Sequence, residues 1–74
     1  MPSPEGLENA AQRREKIMLA VHVSVSDNGY PPTLRELADT LGVSRRQIAK
    51  DVNRLARDGL ITHSPGLARS LRIL

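Results

Sequence analysis

Two helix-start signals flank a single glycine: Thr33 with Glu36 three residues on, and Ser44 with Gln47 at the same spacing, either side of Gly42. In each pair the hydroxyl oxygen accepts a bond from the third helical amide while the long side chain reaches back to the cap, so the pair fixes where a helix begins. Leu37, Ala38 and Leu41 give the first of these helices a buried stripe of about one eight-residue segment, and Gly42 stops it as a left-handed cap. The next helix starts at Ser44 almost at once, and a turn this short makes the two cross steeply. Its apolar positions Ile48, Val52 and Leu55 recur at i, i+4 and i+7, and Gly59 ends it near Arg57 or Asp58.

Tyr30-Pro31-Pro32 must be extended, because each proline fixes its own φ and biases the residue before it away from the helical region. Ahead of this spacer, Glu8 to Ser26 suits one long helix, with Ile17, Ala20, Val21, Ser24 and Val25 at helical spacing and Asp27-Asn28-Gly29 as the stop. Pro2, Pro4 and Gly6 mark residues 1–7 as a tail, leaving 8–74 as the domain. Beyond Gly59, Leu60-Ile61-Thr62-His63 and Arg69 to Leu74 each read as a strand around the turn residues Ser64-Pro65-Gly66, a β-hairpin whose second strand does not declare its buried face. The expected fold class is mainly α (α+β): three helices and a two-stranded β-hairpin wing, a winged helix-turn-helix.

Composition narrows the function classes. The chain has 74 residues, no cysteine and one aromatic, Tyr30, so it forms a single small aliphatic-cored domain with no disulfide, thiolate metal site or thiol chemistry. The longest apolar run, Ile17 to Val21, is far short of a membrane span, and the N-terminus lacks the features of a secretory signal. A cytoplasmic protein is expected.

Charge is split along the chain. Residues 1–41 carry Arg13, Arg14, Lys16 and Arg35 against six acids, whereas 42–74 carry Arg45, Arg46, Lys50, Arg54, Arg57, Arg69 and Arg72 against Asp51 and Asp58. Turning Ile48, Val52 and Leu55 inward places Arg46, Lys50, Asn53, Arg54 and Arg57 in one outward sector, with both acids towards its flank. A solvated helix more usually mixes signs on its outer face. A row of one sign points to a polyanion, whose phosphates are neutralised with release of counterions.

Reach divides the roles. Residues at the N-terminal end of a recognition helix go deepest into the major groove, so Arg45, Arg46, Gln47 and Lys50 are the base-reading candidates, arginine being matched to guanine and glutamine to adenine. Ser44, Asn53, Arg54, Arg57 and, on the wing, Arg69 are candidates for the DNA backbone. Ion pairs with Asp51 or Asp58 are the competing reading for Arg54 and Arg57, and capping alone for Ser44. Arg13, Arg14 and Lys16 read as solvated surface with Glu15 and Glu8 as partners, and Tyr30 as a packing residue. His63 reads as an ordinary strand residue, with a phosphate contact as the competing reading.

Nothing indicates an enzyme, a cofactor, a metal or a small-molecule ligand. His22 and His63 lie far apart without a carboxylate or thiolate at ligand spacing, and there is no phosphate loop or nucleophile elbow.

The segment Asn28-Gly29-Tyr30-Pro31-Pro32-Thr33-Leu34-Arg35-Glu36-Leu37, together with Leu55-Ala56-Arg57-Asp58-Gly59-Leu60-Ile61 and the closing Arg72-Ile73-Leu74, resembles the DNA-binding domain of LexA repressors, which share a Gly-x-Pro-Pro-Thr lead into the second helix. The resemblance runs from about Ile17 to Leu74. In that family a self-cleaving peptidase domain with a Ser and Lys pair follows and dimerises the repressor; none of it is present here, so an excised domain and a free-standing small regulator are both open, and the resemblance implies a bacterial or phage protein associated with the nucleoid. The turn between the second and third helices is one residue shorter than is typical. Arg45, Arg46, Gln47 and Lys50 stand where LexA proteins typically carry smaller, neutral or acidic residues, which implies a different and guanine-richer site.

The expected function is a sequence-specific double-stranded DNA binder acting as a transcriptional repressor, working as a homodimer on paired half-sites or with a protein partner, with exposed Leu19 and Val23 as possible contacts. The alternatives are a winged helix that docks an acidic protein and an architectural or recombination accessory factor that bends DNA.

Overall fold

The computed structural model describes residues 5–74, with side chains from Ala10 onward. Three helices, α1 (Glu5–Asn28), α2 (Leu34–Leu41) and α3 (Arg45–Arg57), precede two short strands, β1 (Ile61–Thr62) and β2 (Arg72–Ile73), paired antiparallel with Ile61 opposite Ile73 and Thr62 opposite Arg72. This is the three-helix, two-strand order of a winged helix-turn-helix. Among the described residues no helix is long and apolar enough to cross a membrane.

Local chemistry explains most of the boundaries. Thr33 caps α2 in both directions, its hydroxyl accepting from the Glu36 amide at 3.1 Å and its own amide donating to Glu36 Oε1 at 2.8 Å. Gly42 closes α2 at φ +70°, a left-handed conformation that glycine adopts without penalty. Ser44 caps α3 by accepting from the Gln47 amide at 3.0 Å, but here the box is half-formed, because the Gln47 side chain is turned along the helix towards Asp51.

Helix α1 opens at Glu5 and ends at Asn28, longer at both ends than the expected span from Glu8 to Ser26. Of the expected tail, residues 1–4 lie outside the described residues, and Glu5 to Leu7 are helical. At the other end the β-branched turns are carried through to Gly29, whose amide still donates to the Val25 carbonyl at 2.9 Å.

One core holds the elements together. Ile17 and Val21 from α1, Leu37 and Ala38 from α2, Ile48, Val52 and Leu55 from α3, Ile61 from β1 and Leu71 just before β2 are all buried. Ala20 and Leu41 pack at its edge. Val25, expected inside, is 47% exposed, facing the groove between the end of α1 and β2.

The strands are shorter than their apolar runs suggested, and of the second run only Leu71, just before β2, is buried, while Arg72 and Ile73 are both exposed. The Ser70 hydroxyl closes the loop between strands, accepting from the Ser64 amide at 3.0 Å and donating to the Ser64 carbonyl at 3.1 Å.

Candidate nucleic-acid interface

Burial of Ile48, Val52 and Leu55 fixes the rotation of α3, so its opposite side faces solvent. Arg46, Lys50, Asn53, Arg54 and Arg57 are exposed there, and Arg45, also exposed, stands at the flank beside the wing cleft. The competing acids are removed from this face or stand at its end. Asp51 is buried and taken by Arg13 of α1, which donates from Nε to Oδ2 and from Nη2 to Oδ1 at 3.2 Å. Asp58 caps the C-terminus of α3 and accepts from Arg54 Nε at 3.1 Å, an exposed pair one helical turn apart that contributes little in water. Among the described residues Arg45, Arg46, Lys50 and Arg57 make no ion pair.

The two ends of α3 differ electrostatically. Arg54 and Arg57 lie in the last turn, where cations suit the negative end of the helix dipole. Arg45 and Arg46 lie in the first turn, which contains no acid, so two cations crowd the positive end. That arrangement is unfavourable within the isolated domain and becomes favourable when an anion approaches.

The wing and α2 complete the surface. A cleft of about 590 Å³ opens between the start of α2, α3 and the wing loop, with Arg35, Arg45, Asn53 and His63 on its walls. Arg35 was not among the expected contacts. Its signal in the sequence was its position, two residues past the Thr33 cap and off the Leu37, Ala38 and Leu41 stripe. His63, read as an ordinary strand residue, also opens onto this cleft.

Four expectations about side chains change. Gln47 is half-buried with its amide 3.5 Å from Asp51 Oδ1, so its side chain lies along the helix instead of outward. Arg69 does not extend from the wing; Nη1 donates to the Pro31 carbonyl at 3.0 Å and to Glu36 Oε1 at 2.9 Å, and Nη2 to Glu36 Oε2 at 3.2 Å. Tyr30 is 46% exposed and takes the Arg69 guanidinium over its ring at 4.4 Å, so it is a platform more than a core residue. Arg13 is no solvated cation, since its partner Asp51 lies on another helix, beyond the reach of local spacing arguments. The hydrogen bond that it donates to Asp51 holds the Arg13 guanidinium above its ordinary pKa.

Ser44 stays at the N-terminus of α3 with its hydroxyl oxygen used for capping. Among the described residues no group of acids and histidines is placed to hold a metal ion.

The family profile described as LexA DNA binding domain matches residues 7–70. The chain belongs to the LexA DNA-binding domain family. Among similar proteins, a LexA repressor of Arthrobacter sp. (strain FB24) is 33% identical over 73 residues, covering 97% of this chain and 29% of the relative. One from Pseudomonas chlororaphis is 39% identical over 62 residues, covering 82% of this chain and 31% of the relative. A third, from Magnetococcus marinus, is 30% identical over 73 residues, covering 99% and 32% respectively. The chain therefore spans about a third of the length of these LexA repressors. The Gly-x-Pro-Pro-Thr lead does structural work in this LexA-type domain: Tyr30 and Pro31 receive Arg69 of the wing, and the Thr33 amide holds Glu36, its partner on α2.

Proposed function

We propose that this LexA-family chain is a sequence-specific double-stranded DNA-binding repressor module of the bacterial cytoplasm, with α3 in the major groove and the wing beside the sugar-phosphate backbone. The observation that carries this reading is the pair Arg45 and Arg46 at the positive end of α3, on a helix face whose nearest acid, Asp51, is buried under Arg13. Arg45, Arg46 and Lys50 read base edges, and Gln47 joins them by releasing its long contact with Asp51. Ser44, Asn53, Arg54 and Arg57 meet the backbone, joined by Arg35 and His63 across the cleft.

A single module of this size has a small footprint, and specificity over genomic competitors calls for two copies on paired half-sites. Leu19 and Val23 on α1, 62% and 44% exposed, are the apolar positions available for that pairing.

Selection of bound sequences from random duplex DNA, followed by affinity against salt, tests the reading. Enrichment of paired half-sites with a steep salt dependence is the expected result. Absence of any enriched sequence, with binding lost at modest salt, would overturn it and point to an acidic protein as the partner.

A further inference from the structure

We propose that Arg69 is a positioning residue: it latches the wing to the start of α2 and so sets the cleft into which the DNA backbone passes, without touching DNA itself. This rests on the DNA-binding reading above. The wing needs such a latch. Its strands pair over two residues each, and a hairpin of that length has little stability alone. Ser64 and Ser70 close the loop on itself but do not tie it to the body.

Arg69 makes that tie with the full geometry of a guanidinium. Two N–H groups grip the Glu36 carboxylate, one of them also reaches the Pro31 carbonyl, and the charged plane lies over the Tyr30 ring. A fork, a carbonyl and a stack together are a set that lysine cannot reproduce. The far side is equally fixed. Glu36 Oε1 also accepts from the Thr33 amide, and the Tyr30 carbonyl accepts from Ser24 Oγ at 2.7 Å, which connects the platform to α1.

Backbone conformation agrees. Arg69 sits at φ +55°, the one described non-glycine residue in the left-handed region, a conformation that persists where side-chain contacts over-determine it. With its charge neutralised by Glu36, Arg69 adds nothing to counterion release.

The test uses Glu36→Gln, which keeps a capping side chain but removes the carboxylate, beside Arg69→Ala, Arg69→Lys and the double variant Glu36→Gln with Arg69→Ala. Each is measured against the selected DNA site across salt. The expected result is that all weaken binding by about threefold to tenfold, that the double variant is no worse than either single one, and that the slope of log affinity on log salt is unchanged in Arg69→Ala and in the double variant. A slope reduced by about one in Arg69→Ala, with Glu36→Gln binding as well as or better than the unaltered chain, would mean that Arg69 contacts phosphate and overturns the proposal. Hydrogen exchange in the free protein gives a second reading: amides of residues 64–70 should exchange faster in Glu36→Gln while those of α3 do not change, and unaltered exchange in the wing overturns the latch. If the unaltered chain selects no DNA, the DNA reading fails and the role in binding with it, whereas the exchange data still decide whether the wing is latched.

Discussion

Arg13 on α1 grips Asp51 on α3 through two parallel hydrogen bonds, joining the long N-terminal helix to α3 by a charge pair at the edge of the core. The Asp51 side chain is 5% exposed and that of Arg13 19%, so the two ends are not equivalent. Removing Arg13 leaves a buried carboxylate with no opposite charge and only the long contact from Gln47, the more damaging change. Arg13→Ala is expected to lower stability by about 3 kcal/mol, whereas replacing both residues by apolar ones, as in Arg13→Met with Asp51→Leu, is expected to be close to neutral. Urea unfolding of Arg13→Met, Asp51→Leu and the pair, read as a double-mutant cycle with Arg13→Ala measured beside them, checks this. A loss below about 1 kcal/mol in Arg13→Ala would show that the pair is no more than a surface contact.

The elements that were legible in the sequence were those set by local chemistry. The Thr33 and Glu36 box, the Gly42 stop and the Ile48, Val52 and Leu55 stripe depend on neighbours within one or two turns, and each is found in the structure. What escaped were contacts between residues distant along the chain. Arg13 with Asp51 and Arg69 with Glu36 are both separated by more than thirty positions, and no periodicity connects them. The same limit explains the interface. Exposure of Arg46, Lys50 and Arg57 follows from the rotation of one helix, but the inward turn of Arg69 follows from the Tyr30-Pro31 platform, whose extended backbone is legible in the sequence while its partner on the wing is not.

Gly42 isolates a backbone effect from a packing effect. A Cβ built there meets nothing within 4 Å, so any penalty on substitution comes from φ +70° alone. Gly42→Ala is expected to cost about 1–2 kcal/mol, and Gly42→Asn clearly less, since asparagine tolerates the left-handed region. Thermal unfolding of both variants measures the difference. Equal losses would mean that the strain is not set by φ.

The contact between Glu36 and Arg69 gives the wing a defined response to acid. Hydrogen bonds from Arg69 first, and from the Thr33 amide second, hold the Glu36 carboxyl below the ordinary glutamate value of about 4.3. A carboxylate with a lowered folded pKa stabilises the folded state fully above the unfolded value and loses that contribution as pH falls through the folded one. Wing stability is therefore expected to be flat around neutrality and to fall only below about pH 4. The Arg69 Nε–H resonance, followed by NMR against pH, should shift in that acidic window in the unaltered chain and stay put in Glu36→Gln. A transition near neutral pH in both would assign the response to another group.

Base reading and backbone contact separate by variants at the two ends of α3. Arg46 stands in its first turn and Arg57 in its last, and both are exposed cations without an ion pair among the described residues. Arg46→Ala is expected to lose discrimination at particular base pairs, at a cost of about 1–3 kcal/mol on the selected site and much less on an unrelated duplex. Arg57→Ala is expected to weaken both duplexes alike and to lower the salt slope by about one. Arg57 also favours the negative end of the helix, so part of its effect belongs to stability, and Arg57→Lys, which keeps the charge at that end, should recover most of the binding. Affinities on matched and mismatched duplexes across salt distinguish the two roles. Equal losses on every sequence from both variants would show that α3 supplies only general electrostatic attraction.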